Sequence, residues 1–543
     1  MLCRQILCLF SKIFYFLKNY PFSNSNMSFA TSTSTTASTT FIDLATFSEL
    51  EGFLYGGPNA ITWFVASVQK GNWFSYIPIV LRNIAGAPDF GQQNVAASVN
   101  RSGDYVLATW FRAQIPKVGF NGTDGFNANS SIRWTRNLMH NLISRCQISF
   151  NELVVQEFDN YWLDFNYQFR LRGSKRIGYR NMIGDIAAMT NPVGPGVPLG
   201  TGGFFSCPLP FWFSEDSGLA LPVAALPFND IKIIYNFRSW QHLLVINPGT
   251  GGTPPNINDV IVFNSSNQPT TNQPSLVDPN TFAHYVVVHN DERVKMGDAP
   301  RDMLIHQVQE SQLQPFKDVT SRSTFDIRLS HAIVLFCFSA ENNSWFNFNS
   351  GTYGREMSNY TTLYDYLGSD PLQFSTLLYE NTPRLAMGVD YYSLISPYYF
   401  STAIPEETGY HMWTYSIRPW SATKPAGSTN YSKLANVSIL QDCSLSAINS
   451  ANTTNPTDDN GDTIYWPPGF GNTGTVFPQT FQHVFVSKNY NIARVANGSD
   501  SIKIQAHKSK RWDCEIPEKC SHFLNQQETF RLASLHMERT ILA

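Results

Sequence analysis

The sequence predicts an all-β protein built from two antiparallel β-sandwiches in tandem, with short helices in the loops. Many short segments alternate apolar and polar residues with a period of two, which is typical of strands with one buried face. These segments form two blocks, and residues 247–280 between them are rich in Pro, Gly, Asn and Thr without periodicity. The length of 543 residues is sufficient for two to four domains.

The composition indicates a protein that buries part of its outer surface against partners. Charged residues make up 15% of the chain and aromatic residues 14%, whereas an average soluble domain is about 25% charged. Interface cores are depleted in charge and enriched in aromatic rings. A large all-β monomer with ordinary cores is the alternative. The net charge of −3 gives no global basic character, so no direct contact with nucleic acid is expected.

The predicted domain organisation has five parts. An atypical leader and a flexible Ser/Thr-rich arm occupy residues 1–40, and an atypical tail occupies residues 501–543. The first sandwich is expected over residues 41–245, a linker or long loop over 246–280, and the second sandwich over 281–500.

The leader contains an apolar run from Ile6 to Leu17 that is interrupted by Lys12. A membrane-spanning helix needs about 20 apolar residues, so this run is too short to predict one. Three interpretations remain open: an additional upstream leader, a signal-like segment, or an amphipathic helix that touches a membrane.

A short amphipathic helix is predicted after the arm. Thr46 as N-cap and Glu49 three residues later form the sequence pattern of a capping box. Phe47, Leu50 and Leu54 then recur on one face, and the glycines and proline at 56–58 end the helix. Such a helix could dock on its own domain, beneath a neighbouring molecule or toward a membrane.

Strands dominate the first block. Residues 104–115 predict a strand with Tyr105, Leu107, Phe111 and Ile115 on its buried face. A hairpin is expected over 146–156, turning near Asn151. The next segments are a helix with Asp159 as its N-cap and Trp162, Phe165 and Phe169 at helical spacing, and a strand over 231–237.

The second block has its clearest strand signals in four segments, and residues 449–475 form a second long polar loop. Numerous short strands in two blocks are typical of β-sandwich domains. The four segments are 284–289, 325–338, 434–440 and 481–486.

A run of five cations lies around Gly173 in a segment that reads as a loop. It is either a site for an acidic partner or neighbouring subunit, or an ordinary solvated loop. The five residues are Arg170, Arg172, Lys175, Arg176 and Arg180.

The eight cysteines form neither a zinc motif nor a dense disulfide scaffold. Four lie in the atypical ends, and the four in the body, Cys146, Cys207, Cys337 and Cys443, are far apart in sequence. Cys337 lies within an apolar run and is expected to be a small buried hydrophobe. The pattern fits a reducing compartment.

The sequence predicts no catalytic residues, no cofactor-binding residues and no metal ligands, and therefore no enzyme. The eleven histidines include no HxH or HExxH pattern, and His284 and His289 would lie on opposite faces of a strand. No GxSxG or GxxxxGK[ST] motif is present. Glu215 and Asp216 could form a carboxylate pair, but Asp216 followed by Ser and Gly favours a turn.

Asp458, Asn460 and Asp462 alternate as the ligands of a calcium loop do. An EF-hand needs a glycine at position six and a glutamate at position twelve of the loop. Thr463 and Gly469 occupy those places, so a solvated turn is the better prediction.

Residues 207–230, CPLPFWFSEDSGLALPVAALPFND, are the most informative segment. They predict two strand-like pieces around a turn at 216–218, with prolines that confine the strands to edges or ends. The segment resembles part of the major capsid proteins of large double-stranded DNA viruses, closest to the iridovirus and ascovirus branch. Further segments resemble the same family in the same order: 54–64, 100–107, 132–143, 291–297, 377–385 and 427–439.

The resemblance covers about residues 41–495 and implies a double jelly roll, that is, two eight-stranded antiparallel sandwiches. It further implies homotrimers of near-sixfold shape that tile an icosahedral virus shell next to neighbouring capsomers. The implied partners are minor capsid and penton proteins and an underlying internal membrane. The implied location is the capsid shell of a virion assembled in host cytoplasm. A secreted β-sandwich that binds carbohydrate is the alternative function.

Overall fold

The computed structural model describes residues 45–66, 68–226, 229–247, 255–270, 272–298, 301–344, 356–421, 423–466 and 474–495, together with residues 42, 249, 503 and 504. The predicted leader and arm and nearly all of the predicted tail therefore lie outside the described residues. The chain divides into two units, Met1–Gly71 and Asn72–Ala543.

In the described part of the first unit, helix α1 extends over Glu49–Leu54. Its N-cap is Ser48, and the capping box joins Ser48 to Glu51. The predicted capping box at Thr46 and Glu49 was therefore wrong by two residues. Both pairs have the required spacing, and the backbone turns into the helix only after Ser48. Leu50 and Leu54 are exposed.

The second unit is dominated by strands. The strands up to residue 288 are β1 Phe74–Val80, β2 Arg82–Ala85, β3 Val95–Ser98, β4 Tyr105–Gln114, β5 Lys117–Gly119, β6 Ser131–Trp134, β7 Ile143–Phe150, β8 Leu153–Phe158, β9 Phe204–Leu209, β10 Ile231–Phe237, β11 Leu244–Asn247, β12 Ile261–Phe263 and β13 Val277–Val288. The later strands are β14 Arg301–Glu310, β15 Gln314–Pro315, β16 Ser323–Asp326, β17 Ala332–Asn342, β18 Leu372–Tyr379, β19 Thr382–Gly388, β20 His411–Thr414, β21 Thr429–Asn430, β22 Val437–Cys443, β23 Phe481–Val495 and β24 Lys503–Ile504.

Helices occupy the connections between strands. The α-helices are α2 Leu138–Leu142, α3 Asn160–Arg170, α4 Gly173–Ile183, α5 Ala187–Thr190, α6 Asn290–Asp298, α7 Ser396–Phe400 and α8 Leu445–Ser450. A π-helical turn, Tyr391–Ile395, runs directly into α7. Short 3₁₀ turns are Trp212–Ser214, Ser217–Leu219, Val223–Ala225, Trp240–His242, Ile257–Asp259 and Tyr431–Lys433.

Two antiparallel sandwiches are formed, the first over residues 74–288 and the second over 301–495. In the first, one sheet has the order β1-β13-β4-β9 and the other β2-β3-β10-β7-β8. In the second, the orders are β14-β23-β17-β20 and β16-β22-β18-β19. Eight strands of the first sandwich match eight of the second in both sheet position and chain order. In chain order, the matched pairs are β1 with β14, β3 with β16, β4 with β17, β7 with β18, β8 with β19, β9 with β20, β10 with β22 and β13 with β23. The second sandwich thus repeats the topology of the first.

The repeated strand order is that of a jelly roll, in which each sheet mixes strands from both ends of the domain. The cores follow from alternation along the strands. In β10, IKIIYNF, every second residue is buried and the others are partly exposed. The double jelly roll and the short helices in its loops confirm the predicted fold class.

The boundary between the sandwiches lies later than the sequence analysis placed it. The predicted linker over 246–280 contains β12 and the first residues of β13. Strand β13 lies between β1 and β4, so it is a central strand of the first sandwich. The segment between the sandwiches is 289–300, which includes α6. Composition misplaced the boundary because β13 is preceded by a long polar connection within its own domain.

Two strand predictions in the first block needed correction. In β4 the register against β13 shifts at His284/Tyr285, so Val106 points into the main core while Tyr105 and Leu107 pack in a separate cluster. A bulge of this kind reverses the faces on either side of it. After β9, the second half of 207–230 forms 3₁₀ turns and an isolated bridge at Leu221 rather than a strand.

Other local predictions were confirmed. The hairpin of β7 and β8 turns at Asn151 and Glu152, which both have positive φ. Asp159 caps α3 by accepting a hydrogen bond from the Trp162 amide at 3.0 Å. Asp216 accepts from the Gly218 amide at 2.7 Å and so forms the predicted turn.

Candidate assembly surface

The outer side of the first sheet presents aromatic rings to solvent. We call Tyr76, Trp110, Phe204, Phe282 and His284 the aromatic face. Trp110 stacks on Phe282 with 5.4 Å between ring centroids, and the His284 ring lies 4.7 Å from Trp110 and 5.9 Å from Tyr76. Tyr76 is 64% exposed and Phe204 45% exposed, whereas the other three rings are half-buried. Aromatic surface of this kind, left uncovered by the described part of the chain, marks an interaction site.

Strand register explains why these rings share one side. Phe282 lies opposite Trp110, and His284 lies opposite Ala108. Because side chains alternate along each strand, the neighbouring Ala283 and Phe111 point inward and are fully buried. The outer side of this sheet therefore carries a cluster of aromatic rings beside Arg112, whereas a sheet with one solvated side normally carries mainly polar residues there.

The equivalent side of the second sandwich is covered within the chain. Leu335 and Cys337 of β17 and Val484 and Val486 of β23 are fully buried and belong to the same continuous core as the first sandwich. Their sheet is thus buried on both sides, since Phe338 packs into the separate core of the second sandwich. The two equivalent sheets differ in that only one has a cover in the described part of the chain.

Helix α3 of the first sandwich supplies part of that cover. The Tyr161 hydroxyl donates to Glu341 on β17 at 2.7 Å, and the Gln482 amide of β23 lies 3.4 Å from the same hydroxyl. The Phe165 ring meets the Tyr410 ring edge-on at 5.7 Å. These contacts place α3 directly across the outer side of the sheet in the second sandwich.

A buried ionic cluster centred on Glu215 joins the two sandwiches. Its carboxylate lies 2.9 Å from the Lys488 ammonium, 2.6 Å from His306 Nδ1 and 3.5 Å from the Arg170 guanidinium. Burial opposes ionisation of Glu215, but the attraction of Lys488 and the hydrogen bond from His306 outweigh it and hold the pKa of Glu215 well below its usual value. Burial lowers the pKa of His306, so the neutral ring donates through Nδ1.

This cluster is structural in character, and the sequence did not predict it, because Glu215 stood out only as a neighbour of Asp216 in a possible carboxylate pair. The only signal was a carboxylate two residues after the apolar Phe211–Phe213 run. The groups that surround it come from β14, β23 and α3, and sequence proximity does not connect them. Such a fully paired cluster fixes the relative position of the two sandwiches, since an unpaired buried charge would be costly.

A second exposed apolar segment lies on the second sandwich. Leu394 and Ile395 in the π-helical turn are 52% and 47% exposed, and Tyr398 and Tyr399 in α7 are 66% and 70% exposed. The segment following α7 returns to the first sandwich, because the Ala403 amide donates to the Phe169 carbonyl at 3.1 Å. We call Leu394, Ile395, Tyr398 and Tyr399 the α7 patch.

The five-cation run does not form the predicted loop. Most of it lies in α4, where Arg176 is buried and donates to the Ile404 carbonyl at 2.8 Å. Arg180 pairs with Asp185 at 2.7 Å. The run therefore contributes contacts within the chain. Arg172 and Lys175 are the two of its five cations that are exposed.

The other candidate ligands are not brought together. His284 lies on the aromatic face, whereas His289 follows the end of β13 and is exposed. Asp458 accepts hydrogen bonds from the amides of Asn460 and Asp462 at 2.9 and 2.8 Å, which is the geometry of a local turn. Among the described residues, no three His, Cys, Asp or Glu side chains are arranged to hold a metal ion. None of the described helices has the length and apolar character to cross a membrane.

Comparison with known proteins accounts for both halves of the chain. Residues 62–278 match the family described as the major capsid protein N-terminus, and residues 292–501 match the large eukaryotic DNA virus major capsid protein. The major capsid protein of Wiseana iridescent virus is 44% identical over 469 residues, covering 84% of this chain and 92% of that protein. The chain belongs to this family of viral major capsid proteins.

More distant members and solved structures agree. The major capsid protein of Rana tigrina ranavirus is 35% identical and covers 86% of this chain and 97% of its own. The PBCV-1 capsid structure superimposes with a TM-score of 0.60 at 17% identity, covering 81% of this chain and 99% of that chain. The Faustovirus major capsid protein gives 0.57 at 11% identity, covering 80% and 92%. These structures show that the double jelly roll is the family fold.

Membership of the family establishes the role as a structural component of the virion capsid that assembles into capsomers. It leaves the alternative of a secreted carbohydrate-binding protein without support. The two matched regions also meet between residues 278 and 292, close to the boundary between the sandwiches.

Proposed function

We propose that the capsomer of this capsid protein is a homotrimer and that the aromatic face is one of its contact surfaces. Three copies carry six sandwiches of one topology, and such an arrangement has near-sixfold shape. A lateral contact between unlike surfaces closes into a ring when the rotation per subunit permits it. The observation that carries the proposal is the aromatic face, which is uncovered in the described chain although the equivalent sheet side of the second sandwich is covered.

Mass measurement after size-exclusion chromatography tests the trimer. We expect a species near three times 61.2 kDa. Phe282→Asp places a charge in the aromatic face and should shift the protein to monomers, because burying an unpaired charge opposes association. Leu153→Asp is the control, since Leu153 is exposed and lies on the other sheet, outside this face. A wild-type monomer at high concentration would contradict the proposal.

We further propose that the protein has no catalytic activity and that its cytoplasmic assembly involves minor capsid proteins, penton proteins and an underlying internal membrane. The family resemblance supports these partners. The net charge of −3 supports a shell that does not contact the genome directly. Cross-linking of purified particles followed by mass spectrometry identifies the neighbours, and a cross-link to packaged nucleic acid would argue against the last point.

A further inference from the structure

We infer that the α7 patch of one copy docks on the aromatic face of a second copy of this chain. This inference rests on the proposed trimer and names the two segments that meet in it. The contact joins unlike surfaces, so each copy contributes its patch to one neighbour and its face to the other. The internal duplication of the fold indicates which segments meet.

The α7 patch and helix α3 occupy equivalent places in the two sandwiches. Helix α3 lies between β8 and β9, and the π-helical turn with α7 lies between β19 and β20. Strands β8 and β9 match β19 and β20 in both sheet position and chain order. The two helical insertions are therefore corresponding connections of the same jelly roll.

Within the chain, the first of these insertions already has a docking site. Helix α3 lies on the outer side of the second sandwich, where Tyr161 meets Glu341 of β17 and Gln482 of β23. The strands that correspond to β17 and β23 in the first sandwich are β4 and β13. These two strands carry Trp110, Phe282 and His284.

Repeating the internal contact between chains therefore brings α7 onto the aromatic face. The surfaces suit each other, because the patch offers Leu394, Ile395 and two tyrosines, and the face offers stacked rings. The face also contains Arg112, whose guanidinium lies 3.9 Å from the centroid of the Phe204 ring, so this cation keeps an aromatic partner when the patch docks. Aromatic residues with a polar tip are the type most enriched at interface centres.

The internal contact also shows what the remainder of the interface should contain. In the chain, the connection after β9 supplies Glu215 to the edge strand β14. The corresponding connection after β20 carries Ile417, which is 72% exposed. Strand β1 of the neighbouring copy corresponds to β14 and carries Tyr76. The expected contact here is apolar, so the interface between copies lacks an equivalent of the buried ionic cluster.

Disulfide trapping between two differently mutated copies tests the docking. One copy carries Ala108→Cys or Phe282→Cys, and the other carries Tyr398→Cys or Tyr399→Cys, with distinguishable tags. We expect an interchain disulfide between unlike copies and none between identical single mutants. The four described native cysteines are buried, and Cys3, Cys8, Cys514 and Cys520 are replaced by serine in both copies, so that no native thiol competes. Leu153→Cys paired with Tyr399→Cys is the control and should remain unlinked.

A substitution experiment gives an independent measurement. The double variant Tyr398→Asp, Tyr399→Asp should weaken self-association at least about 30-fold, since loss of a central aromatic anchor costs interfaces this much or more. Its melting temperature as a monomer should equal that of the wild-type monomer, because both rings are exposed. The conservative pair Tyr398→Phe, Tyr399→Phe should still associate.

The outcomes separate the two levels of the proposal. If the wild-type protein remains monomeric at all concentrations, the trimer itself is refuted. If trimers form but the aspartate variant assembles normally and no unlike pair cross-links, the trimer stands and the docking of α7 is refuted. Cross-links between identical copies would also refute it, because they indicate a contact between like surfaces.

Discussion

Two tryptophans of this capsid protein illustrate how differently one residue type is used. The Trp212 ring is 1% exposed and packs 6.2 Å from Phe150 and 5.3 Å from Phe213, whereas Trp73, just before β1, is 85% exposed. Both tryptophans have an aromatic neighbour in the sequence, so local sequence does not distinguish them. Only the first contributes to the core of the isolated chain, and the second is available to a partner.

Trp212→Ala should lower the free energy of unfolding by about 3–5 kcal/mol, because it removes a large buried ring and leaves a cavity. Trp73→Ala should change it by less than about 0.5 kcal/mol, as expected for an exposed position. Urea unfolding of the unassembled protein, followed by circular dichroism, measures both. Equal effects of the two substitutions would show that Trp212 has no special role in packing.

His483 makes the stability of the second sandwich sensitive to acid. Its ring stacks on Phe325 at 4.4 Å, and neither ring nitrogen has a hydrogen-bond partner among the described residues. Burial lowers the pKa of His483 from 6.5 to about 3. The unfolded chain therefore binds this proton at a higher pH than the folded chain does, and the stabilising difference is lost as the pH falls from 6.5 toward 3.

We expect His483→Leu to flatten the decline in unfolding free energy between pH 6.5 and pH 3, since the substitution removes the group that titrates. Urea unfolding at a series of pH values measures the decline. His289→Leu is the control, because that ring is exposed and its loss should leave the slope unchanged. Parallel curves for wild type and His483→Leu would contradict the assignment.

At the scale of single elements, helix α3 begins at a pair of carboxyl groups. Asp159 caps the helix and is hydrogen-bonded to Glu310 at the end of β14. Partial desolvation and the neighbouring Asp159 raise the pKa of Glu310, and desolvation also raises the pKa of Asp159. The pair therefore holds a proton at neutral pH, and its contribution to stability is lost as the pH rises.

Asp159→Asn should keep the helix cap, because asparagine serves as well as aspartate at this position. It should also remove the carboxylate repulsion, so the variant should gain stability relative to the wild type as the pH rises from 4 to 8. Asp159→Ala should instead lose about 1 kcal/mol through the missing cap. Thermal unfolding at the two pH values distinguishes these outcomes, and an Asp159→Asn protein less stable than wild type at pH 8 would be inconsistent with them.

The sequence predicted the positions of helices and strands correctly where the local pattern was strong. The strand at 231–237 and the cap at Asp159 were predicted at the residues where they occur. The N-cap of α1 and the bulge in β4 were not. Thr46 and Ser48 are both acceptable caps, and the bulge depends on how β13 aligns with β4, so neither is determined by its own segment.

At the scale of the whole molecule, the cysteines bear on the conditions under which the shell protein is stable. Cys146, Cys207, Cys337 and Cys443 are free and buried. Burial raises the pKa of each thiol, to about 12 for Cys443, so none is a reactive thiolate at neutral pH. The described fold therefore depends on packing and hydrogen bonds rather than on disulfides.

Native alkylation checks this point. The four described cysteines should remain unmodified by iodoacetamide in the folded protein and react completely in urea, as measured by peptide mass spectrometry. Added reductant should leave the melting temperature unchanged. Rapid labelling of any of the four in the native state would show that its surroundings open.

The sequence by itself determined the fold class, because alternation of apolar residues, turn signals and a family resemblance all depend on local order along the chain. It also determined that charge is scarce and aromatic rings abundant. Only the tertiary structure decided which rings are core and which are surface. It placed β13 in the first sandwich and gathered Glu215, His306 and Lys488 from distant segments. Among the described residues, it covered one of two equivalent sheets and left the other open. These features depend on contacts between residues far apart in sequence, which no local pattern records.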